Sequence, residues 1–226
     1  MTLKITIATT AESWLHPLLT GLQEDLRRDG HDVKIVADAD EIVASDITFL
    51  LSYWGIVSSE VLARSRNTLV VHESALPHGR GWSPVTWQVL DGVNRIPVSL
   101  IEAVEQFDRG DIYLTDYMEL SGDELLPEIR AEQAKVTFQL CRDFVRQYPA
   151  IVNQRRAQSG QGTVYRRRGP ADSKLDPHRP LAEQFNLLRV VDNDAYPAFF
   201  EFGGSTYKLQ ITKVDAASAS RESDED

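Results

Sequence analysis

The feature that most constrains the fold is an alternation of apolar, strand-like segments with helix-like segments in the first third of the chain. The strand-like segments are KITIAT (4–9), HDVKIVAD (31–38), DITFLLSY (46–53) and TLVVHES (68–74). After the first of them, leucines spaced by three and four residues predict a helix that stops at Asp29-Gly30. Strands that alternate with helices imply right-handed βαβ units. We therefore predict an α/β fold with a Rossmann-like, mostly parallel sheet and flanking helices.

The rest of the chain predicts the remainder of this fold and a short C-terminal extension. The patterns predict helices over 58–65, 84–91, 124–148 and around 181–191, strands over 96–104 and 110–120, and a hairpin that turns at Gly203-Gly204. The Gly-, Pro- and Arg-rich stretch 154–180 predicts an irregular connection. We divide the chain into a catalytic domain over 1–150, an extension of loop, helix and hairpin over 151–213, and a disordered acidic tail over 214–226.

Composition and charge exclude several classes of function. The formal net charge of -10 disfavours a nucleic-acid partner, because phosphate contacts need a basic surface. The single cysteine excludes an internal disulfide, and no cluster of residues predicts a metal site. No apolar run predicts a membrane span, and the first residues do not resemble a secretion signal, so we expect a cytoplasmic protein. The stretch TTAESW also lacks the glycines of a dinucleotide site.

The densest stretch of chemistry is VVHESALPHGRGWSP (70–84), where His72 ends the fourth predicted strand. Ligands of open α/β sheets bind at the carboxyl ends of strands. Alternation along the strand places Val70, His72 and Ser74 on one face. A lone histidine is commonly structural, but the prolines and glycines that follow this one fix a backbone that can approach a ligand closely.

Two motifs in this chain resemble the signatures of the N10-formyltetrahydrofolate-dependent formyltransferases. HESALPHGRGWSP resembles the first signature, and FDRGDIY (107–113) resembles the second, with its aspartate at Asp108. The two motifs together, in the right order, are far more specific than either alone. The stretch from RRRGPADSKLD to YPAFF also resembles the C-terminal extension of sugar N-formyltransferases. The resemblance implies a catalytic core like that of methionyl-tRNA formyltransferase, and within the family it is greatest to the sugar enzymes.

The resemblance implies roles for the histidine and the aspartate. His72 is expected to donate a hydrogen bond to the oxyanion that forms when an amine attacks the formyl carbon. Asp108 is expected to orient the ring, to favour its charged and donating form, and to accept the proton of the amine. The co-substrate is N10-formyltetrahydrofolate, and no metal is needed.

One position departs from the family pattern. The family has an asparagine two residues before the histidine, where this chain has Val70, which cannot donate a hydrogen bond to an oxyanion. The loss of one such donor typically costs about 2.7–4 kcal/mol of transition-state stabilisation. Ser74 lies on the same predicted face and is a candidate for oxyanion or loop support. Asn67 is expected to face the other side, unless a bulge intervenes.

The resemblance also implies binding residues. Residues expected to border the folate are Leu76, Pro77, Arg80, Trp82, Ile101, Glu102 and Val104. Residues expected near the second substrate are Arg166, Arg168, Asp192, Asn193 and Tyr196. The arginine cluster has two readings from the residues alone, namely a solvated loop or a site for a phosphate or carboxylate of a small substrate.

The expected acceptor is the amino group of an amino sugar, carried on a nucleotide and destined for a surface glycan. The chain is short and acidic for a methionyl-tRNA formyltransferase. Another small amine, such as glycinamide ribonucleotide, is an alternative acceptor. Val70 motivates a third hypothesis, a non-catalytic regulator that binds folate or a nucleotide. The edges of the predicted hairpin favour a homodimer.

Overall fold

The computed structural model describes residues 1–214, so the predicted acidic tail lies outside the described residues beyond position 214. The strands are β1 (Lys4–Ala8), β2 (Asp32–Val36), β3 (Ser45–Leu50), β4 (Ser65–His72), β5 (Arg80–Gly81), β6 (Arg95–Glu102), β7 (Ile112–Glu119), β8 (Val164–Tyr165), β9 (Ala198–Phe202) and β10 (Ser205–Leu209). The helices are α1 (Leu19–Arg28), α2 (Ser59–Leu62), α3 (Pro84–Leu90), α4 (Leu126–Gln147) and α5 (Phe185–Arg189).

The central sheet has six strands in the order β2-β1-β3-β4-β6-β7. The first four strands along the chain run parallel to one another, β6 runs antiparallel to β4, and β7 runs antiparallel to β6. Antiparallel neighbours need only a short connection, which is why the loop between β6 and β7 contains no crossover helix. The predicted mostly parallel α/β sheet is confirmed.

Helices cover the sheet and enclose its apolar side chains. Leu22 and Leu26 of α1 and Phe144 of α4 are completely buried. Phe144 lies edge-on against Phe49 of β3 and Tyr113 of β7, with ring centroids 6.3 and 5.1 Å away. These contacts attach α4 to the sheet whose strand ends carry the candidate site. None of the helices within residues 1–214 is long and apolar enough to cross a membrane.

Three helices differ from their predicted bounds. The predicted helix around 181–191 is a 3-10 turn over Leu181–Gln184 followed by the short helix α5. The leucine pattern predicts a helix that includes Leu15, but a 3-10 turn over His16–Leu18, which contains Pro17, precedes α1. The predicted helix over 58–65 is the shorter α2, because β4 already begins at Ser65. Apolar spacing alone could not separate these ends from the helices they adjoin.

The C-terminal extension packs onto the rest of the chain through buried charges. Arg189, at the end of α5, has only 1% of its side chain exposed and pairs with Glu124 just before α4, with 3.0 Å between Nη2 and Oε2. Burial alone would raise the pKa of Glu124. Hydrogen bonds from backbone N–H groups, including those of Ser121 and Gly122, and the charge of Arg189 outweigh burial and lower that pKa to about 2. β9 and β10 form the predicted hairpin around Gly203-Gly204.

Candidate active site

The ring of His72 is held at the carboxyl end of β4 by the loop that follows it. The residue is 5% exposed. Its Nε2 lies 2.8 Å from the carbonyl oxygen of Gly79. Since a carbonyl oxygen can only accept, Nε2 carries the hydrogen and donates it. The other ring nitrogen, Nδ1, is therefore the one that can serve a substrate.

Asp108 lies beside this ring nitrogen. Its Oδ1 is 3.4 Å from Nδ1 of His72, and its side chain is 12% exposed. Its Oδ2 accepts a hydrogen bond of 2.8 Å from the backbone N–H of Gly81. The ring and the carboxylate are therefore in direct contact, and the loop fixes the carboxylate through its second oxygen.

The backbone around both residues takes left-handed conformations. Asp108 has a φ of 56°, which aspartate tolerates better than most residues. Gly81 has a φ of 94°, and a Cβ at this position would lie 2.4 Å from the carbonyl oxygen of Tyr165. A glycine is therefore required where the loop passes between Asp108 and β8.

The irregular connection supplies contacts that sequence reasoning missed. The backbone carbonyl of Asp108 accepts hydrogen bonds from Nε of Arg80 at 3.1 Å and from Nε2 of Gln158 at 2.8 Å. The hydroxyl of Thr163 accepts one of 2.9 Å from the N–H of Gly79. β8 also pairs with β5. Residues 158–165 thus support the site loops, and no periodicity or motif in this polar stretch predicts it.

The pair of His72 and Asp108 lies in the wall of a cavity of about 570 Å³, which we call the larger cavity. This volume is within the usual range for small-molecule sites. Among the predicted folate-binding residues, Arg80, Trp82, Ile101, Glu102 and Val104 line it. Leu76 instead packs behind the cavity, in a small apolar cluster with Ile101 and Ile112. Pro77 lies in the loop, where its carbonyl oxygen approaches Gly162.

A second cavity of about 290 Å³, the smaller cavity, adjoins the first. Arg168, Asp192 and Tyr196, all predicted near the second substrate, line it. The other two predicted residues lie elsewhere. The side chain of Asn193 bonds the backbone of Ile211, and Arg166 pairs with Asp172. The residues that line both cavities are Trp54, Glu73, Trp82, Ser83 and Pro84.

Comparison with known proteins settles which family this site belongs to. A family profile described as formyl transferase matches residues 10–140, which is more than half of the chain. The chain belongs to the formyl transferase family. The match includes both motifs that carry His72 and Asp108, and it ends within α4, before the C-terminal extension.

One curated relative matches most of the length of this chain. The chain is 31% identical over 161 residues to a methionyl-tRNA formyltransferase of Symbiobacterium thermophilum, and the match spans 70% of this chain and 49% of that relative. The chain thus matches about half the length of that curated relative.

Solved structures show the same fold at lower identity. A methionyl-tRNA formyltransferase from Clostridium thermocellum has a TM-score of 0.76 at 22% identity, with 95% of this chain and 94% of that chain covered. Rv3404c of Mycobacterium tuberculosis, described as a likely sugar N-formyltransferase, has a TM-score of 0.69 at 17% identity, with 95% and 99% covered. HypX from Aquifex aeolicus in complex with tetrahydrofolic acid has a TM-score of 0.74 at 18% identity, with 93% and 38% covered.

Val70, which replaces the expected asparagine of this formyl transferase family, also lines the larger cavity. The neighbouring candidates do not supply the missing amide. Asn67 is buried and donates to Oε2 of Glu102 and to the hydroxyl of Tyr113, each at 3.3 Å. The hydroxyl of Ser74 is buried with no hydrogen-bond partner among residues 1–214. The Cβ of Ser74 packs closely against Gly79. Ser74 is thus placed to support the loop rather than the cavity.

Within residues 1–214, no group of three or more His, Cys, Asp or Glu side chains is arranged to hold a metal ion. The lone cysteine, Cys141, is buried in α4, where burial raises the pKa of its thiol well above the ordinary value. It takes no part in the site.

Proposed function

We propose that this protein transfers the formyl group of N10-formyltetrahydrofolate to a primary amine. The single observation that carries the proposal is the contact between Nδ1 of His72 and Oδ1 of Asp108, in the wall of a ligand-sized cavity of a formyl transferase family member. A buried imidazole whose second nitrogen is already bonded presents one oriented group to the cavity. That is the arrangement that acyl transfer requires.

The reaction follows from these two groups. The amine nitrogen attacks the formyl carbon, a C–N bond forms, and the carbonyl oxygen becomes an oxyanion beside Nδ1 of His72. Asp108 accepts the proton that the attacking nitrogen loses. The bond from the formyl carbon to N10 of the folate then breaks, and N10 receives a proton. The products are a formamide and tetrahydrofolate.

The larger cavity is the proposed folate site. Its wall includes the apolar residues Val70, Ile101 and Phe107 together with residues 102–105. Phe107 is 64% exposed and Val104 is 44% exposed, so apolar groups stand open at this cavity for an aromatic ligand to cover. The tetrahydrofolic acid in the HypX structure supports the choice of ligand class.

The smaller cavity is the proposed acceptor site, and we favour an amino sugar on a nucleotide, for a surface glycan. Arg130, Arg167 and Arg168 line this cavity. Nε of Arg168 is buried with no hydrogen-bond partner among residues 1–214, and burial lowers the pKa of its guanidinium. Nη2 of Arg168 donates to the backbone carbonyl of Asp172 at 2.9 Å, so its Nε is the group left for a phosphate oxygen. Three arginines at one cavity thus fit a phosphorylated small molecule.

Methionyl-tRNA is the second candidate acceptor, because the Symbiobacterium thermophilum relative is a methionyl-tRNA formyltransferase. Chain length does not decide between an amino sugar and methionyl-tRNA as the acceptor. The match with the methionyl-tRNA formyltransferase from Clostridium thermocellum covers 94% of that chain. Charge does separate them: a net charge of -10 opposes the approach of a polyanion.

An acceptor panel tests the proposal. The protein is mixed with N10-formyltetrahydrofolate and either nucleotide-linked amino sugars, glycinamide ribonucleotide or methionyl-tRNA, and formylated product is measured by mass spectrometry. We expect a formylated sugar, and we expect His72→Ala to lower its rate by about 10²–10⁴-fold. His78→Ala is the matched control, because His78 is an exposed residue of the same loop. Folate binding without turnover on any acceptor would instead support the regulator hypothesis.

A further inference from the structure

Glu73 is a carboxyl group at the junction of the two cavities that the proposed mechanism does not use. It follows His72 directly, and its side chain lines both the larger and the smaller cavity. Its Oε1 accepts a hydrogen bond of 2.6 Å from Nε2 of Gln133 in α4. Its backbone carbonyl accepts one of 2.7 Å from Nε2 of Gln88 in α3. At the boundary between the cavities, α4 therefore holds the carboxyl of Glu73 and α3 holds its backbone.

No lysine or arginine of the described residues forms an ion pair with this carboxyl group. Within residues 1–214, no Lys or Arg nitrogen lies within 4.0 Å of it, and Arg130, at the same cavity, pairs with Asp192 instead. Burial raises the pKa of Glu73, while the charge of His72 and the hydrogen bond from Gln133 oppose that rise. The charged or titratable groups around it are His72, Asp108, Arg130, Arg167, Arg168 and Asp192. The carboxyl group therefore has no lysine or arginine partner among the described residues, and a cationic ligand can take that place.

We propose that Glu73 is a further catalytic residue, whose carboxylate binds the acceptor amine as its ammonium and removes the proton that must leave before the nitrogen attacks. This inference rests on the proposed formyl transfer. The inference explains why Glu73 lies at this junction. An acceptor in the smaller cavity must reach across the junction to a formyl group beside His72. An ammonium ion is also the partner that a desolvated carboxylate lacks.

The protons balance with two separate carboxyl groups. The acceptor arrives as an ammonium ion, since ordinary amines are protonated at neutral pH. Glu73 takes the first proton and later releases it to solvent, which leaves a neutral amine with a free lone pair. The amine then forms the bond to the formyl carbon, and its second proton passes through Asp108 to N10 as the C–N10 bond breaks. The net reaction converts the ammonium and formyl-folate to a formamide, tetrahydrofolate and one proton.

The test compares Glu73→Gln with wild type and with Glu24→Gln, an exposed glutamate of α1 that serves as the matched control. For each protein, kcat/KM for the acceptor is measured against pH, and binding of 5-formyltetrahydrofolate is measured by titration. We expect Glu73→Gln to lower kcat/KM by about 10²-fold or more at neutral pH and to remove the acidic limb of the profile. Folate affinity is expected to change little, because the amide keeps the shape of the cavity wall.

Folding is checked in the same set of proteins. Glu73→Gln keeps a partner for Gln133 and removes a buried charge, so we expect its thermal unfolding midpoint at neutral pH to equal or exceed that of wild type. If wild type turns over an acceptor and Glu73→Gln matches its rate and pH profile, this inference is wrong while formyl transfer stands. If wild type turns over no amine, the proposed function itself fails.

Discussion

At the residue scale, Val70 is the clearest departure from the family pattern. Its side chain lies on the strand face of His72 and lines the larger cavity, where the family resemblance expects an amide. No side chain described above replaces that donor, since Asn67 is bonded elsewhere and the Ser74 hydroxyl is buried. The proposed mechanism therefore leaves His72 as the oxyanion donor without an amide beside it.

Restoring the amide tests this conclusion. Val70→Asn is expected to raise kcat, by up to about 10²-fold, because one oxyanion donor is typically worth about 2.7–4 kcal/mol. Folate affinity is expected to stay within a few-fold of wild type. Val70→Ala is the control, since it removes the apolar bulk without adding a donor. An unchanged kcat in Val70→Asn would mean that another group already fills this role.

The sequence predicted the reacting groups but not all of their surroundings. His72 and Asp108 follow from two short motifs, and the structure brings them together, while their catalytic roles stay predictions. Alternation along β4 placed Glu73 on the opposite face of the strand from His72. Nothing in the sequence located it between two cavities, because that position depends on Gln133, sixty residues further along the chain.

At the scale of elements, periodicity predicted the sheet and its helices, while the support of the site was missed. The connection over residues 154–180 reads as irregular, and much of it is. The side chains of Gln158 and Thr163 nevertheless hold the loops of Asp108 and Gly79 through hydrogen bonds. Such long-range contacts have no periodic signal, since each depends on one side chain and on the folded path of both segments.

The attachment of α5 to α4 gives a prediction at this scale. Glu124→Gln is expected to destabilise the fold by about 2 kcal/mol at neutral pH. This is less than the roughly 3–5 kcal/mol for breaking a fully buried pair, because Glu124 is partly solvated and Asn94 still accepts from Arg189. Chemical denaturation followed by circular dichroism measures the difference.

The pH dependence of this pair has a definite sign. The pKa of Glu124 is lowered to about 2 in the folded protein, from an ordinary value of 4.5. Its contribution is therefore full above about pH 4.5 and is lost as the pH falls towards 2. The difference in the free energy of unfolding between wild type and Glu124→Gln should therefore shrink as the pH falls from about 4.5 towards 2. Glu183→Gln, in an exposed pair with Arg179, should cost less than about 1 kcal/mol throughout. If this free-energy difference does not change with pH, the lowered pKa of Glu124 is wrong.

At the scale of the whole molecule, the homodimer stays a prediction, and the hairpin of the extension is the surface expected to form it. β9 is bridged by Lys174 on one side and pairs with β10 on the other. Tyr207 of β10 is 48% exposed and Phe202 is 59% exposed. An edge strand with apolar groups is a surface on which another strand can pair.

Sedimentation velocity tests the predicted homodimer. Wild type is expected to sediment as a dimer, and Tyr207→Asp is expected to shift it towards monomer. Val43→Asp changes an exposed apolar residue outside the C-terminal extension and should leave the dimer intact. A monomeric wild type at every protein concentration would contradict the prediction.

The central claim is that His72 and Asp108 act as one unit on the formyl group. The most direct measurement is a double-mutant cycle on formyl transfer with His72→Ala, Asp108→Asn and the double variant. Because the ring and the carboxyl are in contact, 3.4 Å apart, we expect the double variant to be about as slow as the slower single variant. Losses that multiply would show that the two residues act independently, and that result would contradict the account.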